Sequence, residues 1–220
     1  MSKELTPTEV VRLLCALKGV YTFKELEGYL GISSQVLWRY TKYLNTPEKP
    51  TAKEIMLKIE KERLIQKALS RVIELNRYGY IEAWKINKNI NLPNLFSYLI
   101  CRRIKSEGIN PIIPISIDAI PLATILSDWL KIPIYLAYPK AYLTMDRWRS
   151  VEYLRKGCDY MERIYLPRGI FKRNDKVLLL DLILSNSNIV DAVCSIIESE
   201  DAKPWGLSRL LLLEKNGLKK

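Results

Sequence analysis

The sequence contains no histidine among its 220 residues. That absence removes imidazole metal ligands, Ser-His-Asp triads and imidazole pH switches together. Catalysis by such a chain falls to carboxylates, Lys, Tyr or a metal held by oxygen. Cysteine is sparse as well: Cys15, Cys101, Cys158 and Cys194 stand singly, with no C-x-x-C pair. The chain therefore reads as a reduced, cytoplasmic protein without structural zinc, and no metal or cofactor is expected. The first residues, MSKELTPTEV, hold no signal-peptide apolar core. Long apolar runs are missing too, since the stretches at 132–138 and 177–180 fall far short of the about 20 residues that a membrane-spanning helix needs.

Basic residues are in excess. Lys plus Arg minus Asp plus Glu is 35 − 24 = +11, with a pI near 9.4, a balance that favours polyanionic partners and puts nucleic acid first among them. Cut at 50 and 110, the chain carries +2, +6 and +3, so the middle segment dominates the field. At 25.6 kDa it holds one large domain or two small ones and can bury a real core.

Helical patterns and turn signals alternate over residues 7–44 and close on Asn45-Thr46-Pro47 and Pro50, which places a first domain at 1–46. A connecting segment follows at 47–75. With Thr51 as N-cap and Glu54 as its capping-box partner, it is expected to form one helix from 51 to about 75. Leu57, Leu64, Ala68, Val72 and Leu75 would be its apolar stripe. That face serves either packing on its own domain or dimerisation. From 76 to 220 the texture changes to short β-rich runs separated by helical ones. Strands are expected at 112–116, 132–137, 177–180 and 210–213, and helices at 120–129 and 189–198. Strand, helix, strand, twice over, is the signature of a mostly parallel sheet flanked by helices, so the fold class is α/β.

In the first domain a helix is expected at 8–18, followed by two shorter helices about a turn at Gly31, the second capped by Ser33. Leu26, Leu30, Ile32, Leu37 and Tyr40 fall where two crossing helices need a shared core. Over about 20 residues this spacing resembles the helix-turn-helix family. Glu27 departs from it, standing where that motif has a small residue, so either the crossing opens or the carboxylate points outward beside Gly28. The resemblance implies that the second helix enters a major groove. Gln35 and Arg39 then suit bidentate base readout, Ser34 faces the bases and phosphates beside them, and Ser33, Thr41 and Lys42 suit phosphate contacts. Trp38 is either an apolar contact to thymine methyls or a core residue. The competing reading of the module is a small helical bundle used for protein contacts.

Two stretches decide the second half. One reads Ser116-Ile117-Asp118-Ala119-Ile120-Pro121-Leu122-Ala123, and the other Asp181-Leu182-Ile183-Leu184-Ser185-Asn186-Ser187-Asn188-Ile189. Over about 76–214 they resemble type I phosphoribosyltransferases, the family of orotate and purine salvage enzymes and of the purine repressor of Gram-positive bacteria. In that family the first stretch is an A-T-G-G-I-P-L-A pyrophosphate loop and the second a D-D-V-I-T-T-G-G-T motif for ribose hydroxyls and the 5-phosphate. Here the loop has lost both glycines, and the motif keeps its first acid, Asp181, with Leu182 in place of the second. Glycines in such a loop let backbone N–H groups approach an anion. Asp118 in their place is expected to cap the following helix and to repel pyrophosphate.

The resemblance, with these losses, implies a domain that is not an enzyme. Asp181, Ser185, Asn186, Ser187 and Asn188 would bind a nucleoside monophosphate effector rather than phosphoribosyl pyrophosphate, or else they only cap helices and end turns. Residues 139–163 mix Lys140, Arg147, Arg149, Arg155, Lys156 and Arg163 with Tyr142, Trp148, Tyr153 and Tyr160. In the enzymes this region is a lid. Here it is expected to be a solvated surface loop or short helix, with contact to nucleic-acid backbone as the other reading. The whole layout resembles a DNA-binding transcriptional regulator, a homodimer on double-stranded DNA that uses an inactive phosphoribosyltransferase-like domain for pairing. The alternative is an active phosphoribosyltransferase of nucleotide metabolism.

Overall fold

A computed structural model describes residues 5–74, 76–78, 81–104, 107–142, 147–155, 159–182 and 187–208. The chain divides into two compact units, residues 1–102 and 103–220.

The first unit is helical. Helix α1 (Pro7–Lys18) starts on a reciprocal capping box, in which the Glu9 N–H donates to Thr6 Oγ1 and the Glu9 carboxylate accepts from the Thr6 N–H. Helix α2 (Phe23–Leu30) starts the same way on Thr22 and Glu25. It ends at Gly31, whose φ of 64° is the left-handed conformation that glycine adopts without steric cost. Two residues on, Ser33 caps α3 (Ser34–Thr41) by accepting from the Val36 N–H. Leu26, Leu30, Leu37 and Tyr40 are buried between these helices as expected, whereas Ile32 is only half-buried. Val10, Leu13, Leu14 and Leu17 of α1 close the core, and the Tyr21 hydroxyl donates to the Leu64 carbonyl.

The single helix expected over 51–75 is two. Helix α4 (Lys49–Lys61) begins before Thr51, because Pro50 is tolerated in a first turn, so Thr51 lies inside the helix and its capping box with Glu54 does not form. Arg63 then enters the left-handed region at φ 51°, which breaks the ladder before α5 (Leu64–Val72). Ala52, Ile55, Ile59, Leu64, Ile65, Ala68 and Leu69 form the buried stripe, while Leu57 is 59% exposed. Leu75 lies outside the described residues. The 47–75 segment packs back on α1 and α2, and the Lys58 ammonium donates to the Leu30 carbonyl, so it belongs to the helical unit instead of linking two domains. Two further helices, α6 (Ala83–Asn87) and α7 (Asn91–Ile104), follow. The unit boundary falls within the last turn of α7 and not at 75/76.

The second unit is α/β. Strands β1 (Ile109–Pro114), β4 (Lys176–Leu180) and β5 (Lys203–Ser208) form a parallel sheet in the order β1-β4-β5, with Ile113 opposite Leu179 and Leu178 opposite Trp205. Helix α8 (Ile120–Leu130) leaves β1, and α9 (Ser187–Glu198) connects β4 to β5. All of Val177–Leu180 is buried, as a parallel strand covered on both faces requires. The strand expected over 132–137 shrinks to a parallel bridge between Ile112 and Ile134, held by two backbone bonds. The one expected at 210–213 lies outside the described residues.

Residues 139–163 hold no helix among the described residues. Their second half enters an antiparallel hairpin, β2 (Trp148–Leu154) with β3 (Met161–Pro167). Its inner face, with Val151 half-buried and Ile164 and Leu166 buried, packs on α9. The alternation along these strands is a strand period that turns Glu152 and Arg163 to the outer face, while Arg149 and Glu162 lie at the two ends of the inner one.

Candidate functional site

A cavity of about 510 Å³ opens where β1 and β4 end. Both strands are parallel, so their carboxyl ends lie together, which is where ligands of open α/β sheets bind. Beyond β1 the chain supplies Ser116, Ile117 and Ile120, and beyond β4 it supplies Asp181. The hairpin adds Tyr153, Arg155, Glu162 and Arg163.

Asp181 is the centre of the arrangement. It is 5% exposed, and its Oδ1 accepts from the Ser116 hydroxyl at 2.6 Å and from the Leu182 N–H at 2.8 Å. A buried carboxylate held by donors from two strand ends is fixed in orientation. Leu182, at the position of the lost second acid, is buried.

A second polar group stands on the hairpin. Tyr153 and Glu162 are cross-strand partners, and the Tyr153 hydroxyl donates to Glu162 Oε2 at 2.6 Å while Arg155 donates to Oε1 at 3.0 Å. Burial, then the hydrogen bond and charge of Glu162, push the Tyr153 hydroxyl up to about 12, so it stays a neutral donor. The hydrogen bond from Tyr153, then that from Arg155, hold Glu162 below the usual carboxylate range. Arg163 pairs with Glu152. The lining thus carries two carboxylates, Asp181 and Glu162, and two guanidinium groups, Arg155 and Arg163. Each guanidinium has a partly exposed carboxylate partner that a ligand phosphate could replace.

The loop after β1 is not built as expected. Residues Ile117–Ala119 form a 3₁₀ turn, and α8 begins at Ile120 with Ala119 as its N-cap and no side-chain hydrogen bond there. Asp118 is exposed and is absent from the cavity lining, so it neither caps α8 nor places its carboxylate in the cavity. Without glycine the loop takes the tight turn, and Ile117 stands 85% exposed at the cavity edge.

Of the described residues expected to bind a ligand, only Asp181 lines the cavity. Ser187 begins α9 and is exposed, and the Asn188 amide donates to the Leu154 carbonyl, which ties α9 to the hairpin. Ser185 and Asn186, like Lys156, lie outside the described residues. Ser116, Tyr153, Arg155, Glu162 and Arg163 join the site through strand pairing across the chain, a register that no local pattern encodes. Among the described residues no three metal-ligating side chains come together.

In the helical unit the face of α3 is as follows. Gln35, Arg39 and Lys42 are exposed, and Trp38 is 44% exposed rather than a core residue. Glu27 is exposed, and its carboxylate reaches across the turn to accept from both the N–H and the hydroxyl of Ser34. Those bonds lower its pKa, the hydroxyl's foremost. Ser33 and Ser34 are therefore both engaged at the start of α3.

No protein-family model matches the chain. Solved structures do. Adenine phosphoribosyltransferase from Rhodothermus marinus is similar at TM-score 0.54 and 15% identity, covering 66% of this chain and 84% of that one. The enzyme from Thermoanaerobacter pseudethanolicus gives 0.56 and 11%, with 65% and 84% covered. That from Giardia lamblia gives 0.55 and 14%, with 64% and 80% covered. The chain shares the fold of phosphoribosyltransferases. These likenesses correct the expectation of a domain that is not an enzyme, which rested on the lost glycines and the lost acid: the fold matched is that of working transferases.

Proposed function

We propose that the α/β unit is a phosphoribosyltransferase of nucleotide metabolism that binds a phosphoribosyl ligand in the cavity at the ends of β1 and β4. The observation that carries this reading is buried Asp181, fixed by Ser116 and facing a cavity that also holds Arg155 and Arg163, on a fold shared with adenine phosphoribosyltransferases. In this reading Asp181 accepts the ribose hydroxyls, and the two arginines exchange their surface glutamates for phosphate oxygens. A ring nitrogen of a nucleobase attacks the anomeric carbon, the bond to pyrophosphate breaks, and the products are a nucleoside monophosphate and pyrophosphate. With Leu182 where the family has a second acid, Asp181 carries the ribose alone. Purified protein given phosphoribosyl pyrophosphate and each common nucleobase is expected to release pyrophosphate only when the right base is present. Losing a charge-assisted bond in Asp181→Asn is expected to slow release by about 10- to 100-fold. No base-dependent release with any base would remove this reading.

A second reading concerns the helical unit. The exposed row Gln35, Trp38, Arg39 and Lys42 along α3, on a chain of charge +11, supports docking of α3 in the major groove of double-stranded DNA, with a homodimer supplying the second half-site. In this reading the chain is a transcriptional regulator whose nucleoside monophosphate product or substrate is its signal, and Ser33 and Ser34 set the angle of α3 instead of reading bases. Anisotropy with duplex fragments should show log affinity falling linearly with log salt, and Arg39→Ala should cost ~1–3 kcal/mol. An affinity insensitive both to salt and to Arg39→Ala would exclude it.

A further inference from the structure

The β2–β3 hairpin has two faces: Tyr153, Glu162 and Ile164 on the inner one line the cavity, and of the outer one only Arg163 reaches it among the described residues. Ile164 and Leu166 are buried inward, so the alternation of the strand turns Tyr165 to the opposite face. Trp148 shares that face through the Ser150–Tyr165 pairing. Tyr138 extends it by a third strand segment, bonding N–H to O in both directions with Tyr165. Four rings meet there. Tyr138 lies edge-on to Tyr142 at 5.2 Å and to Trp148 at 5.6 Å, and Trp148 lies 6.1 Å from Tyr165. Tyr142 is 53% exposed, a large aromatic surface in water backed by rings that hold its plane. The Trp148 Nε1 is buried with no hydrogen-bond partner among the described residues.

Cations frame these rings. Arg147 and Arg168 are joined at the base of the hairpin by a backbone bond of 3.1 Å, and Lys140 stands two residues before Tyr142, all three side chains exposed. Neither Lys140 nor Arg147 makes an ion pair among the described residues. Flat ring surface bordered by unpaired cations suits a chain that offers bases and phosphates side by side. A duplex hides its base faces.

We infer that this outer hairpin face binds a single-stranded polynucleotide, with a base stacked on Tyr142 and phosphates on Lys140, Arg147 and Arg168. The site shares no residue with the cavity lining or with α3, so its test is distinguishable from theirs.

Fluorescein-labelled single-stranded DNA and RNA of about a dozen nucleotides, and a duplex of the same length, titrated into the full chain would test it by anisotropy. Saturable binding of the single strands is expected, weakened about tenfold by Tyr142→Ala and by the double change Arg147→Ala with Arg168→Ala. Binding should be retained in Tyr142→Phe and in Arg39→Ala. DNA and RNA arms distinguish the two sources of such a strand. Absence of binding, binding lost in Arg39→Ala but kept in Tyr142→Ala, or a Tyr142→Ala variant whose only change is a smaller sedimentation coefficient would overturn the inference. The last result would mark the face as a contact between copies of the chain.

Discussion

Glu25, at the third position of α2, is held by the Thr22 N–H, by the Arg71 guanidinium at 2.8 Å and by the Thr22 hydroxyl. Those bonds, the Thr22 N–H foremost, bring its pKa from an ordinary 4.5 to about 2. The folded pKa lies below the unfolded one, so the group contributes stability above about pH 4.5 and loses it as pH falls toward 2. The expected outcome is a melting temperature of the chain that drops between pH 5 and pH 3, and drops less in Glu25→Gln; equal pH dependence of the two proteins would contradict it. Its partners stand only three residues apart, yet the one box expected from the sequence was Thr51 with Glu54, which does not form. Asp181 was legible, because it follows an apolar strand. The Asp181 partner Ser116 is 65 positions away, and the Glu162 partner Tyr153 is set by hairpin register, so neither pairing could be read from local spacing. Asp118 misled for a related reason. A carboxylate near a helix start is a good cap only at the N-cap position, and the 3₁₀ turn puts Ala119 there instead.

At the scale of elements, Arg63 divides what the apolar period made continuous. No Pro or Gly marks the place, and a left-handed arginine costs roughly 1–2 kcal/mol, so nothing local announces the break. It persists because it swings α5 so that Leu64, Ile65, Ala68 and Leu69 are buried. Glycine at this position adopts the conformation freely while losing more freedom on folding, about 0.5–1 kcal/mol. Arg63→Gly is therefore expected to stabilise the chain, by up to about 1 kcal/mol, as a higher urea midpoint. A lower midpoint would mean that the arginine side chain contributes more than its backbone costs. The hairpin was hidden in a different way. Its strands interleave Arg, Glu and Tyr with Val, Ile and Leu, which reads as a basic, aromatic loop until one face is seen against α9. It is anchored at its base by Glu200, whose carboxylate accepts from Arg149 at 2.7 Å and from the Gly169 N–H at 3.0 Å.

At the scale of the whole molecule, a helical unit and an α/β unit share one chain. The parallel sheet was legible because buried strands and crossover helices have distinct periods. The boundary was not, because the breaker cluster at 45–50 ends a helix inside the first unit and not the unit itself. The α/β unit holds the proposal on which the rest depends: that Asp181 and the hairpin arginines form a place for a phosphoribosyl ligand, in a cavity whose lining leaves out Asp118. Isothermal titration calorimetry of the full chain with phosphoribosyl pyrophosphate, repeated with Asp181→Asn, tests this most directly. The account predicts saturable binding in the micromolar range and a loss of about tenfold or more in the variant, since each factor of ten is 1.4 kcal/mol and a charge-assisted bond is worth at least that. Absence of binding up to millimolar ligand, or equal affinity in both proteins, would contradict it.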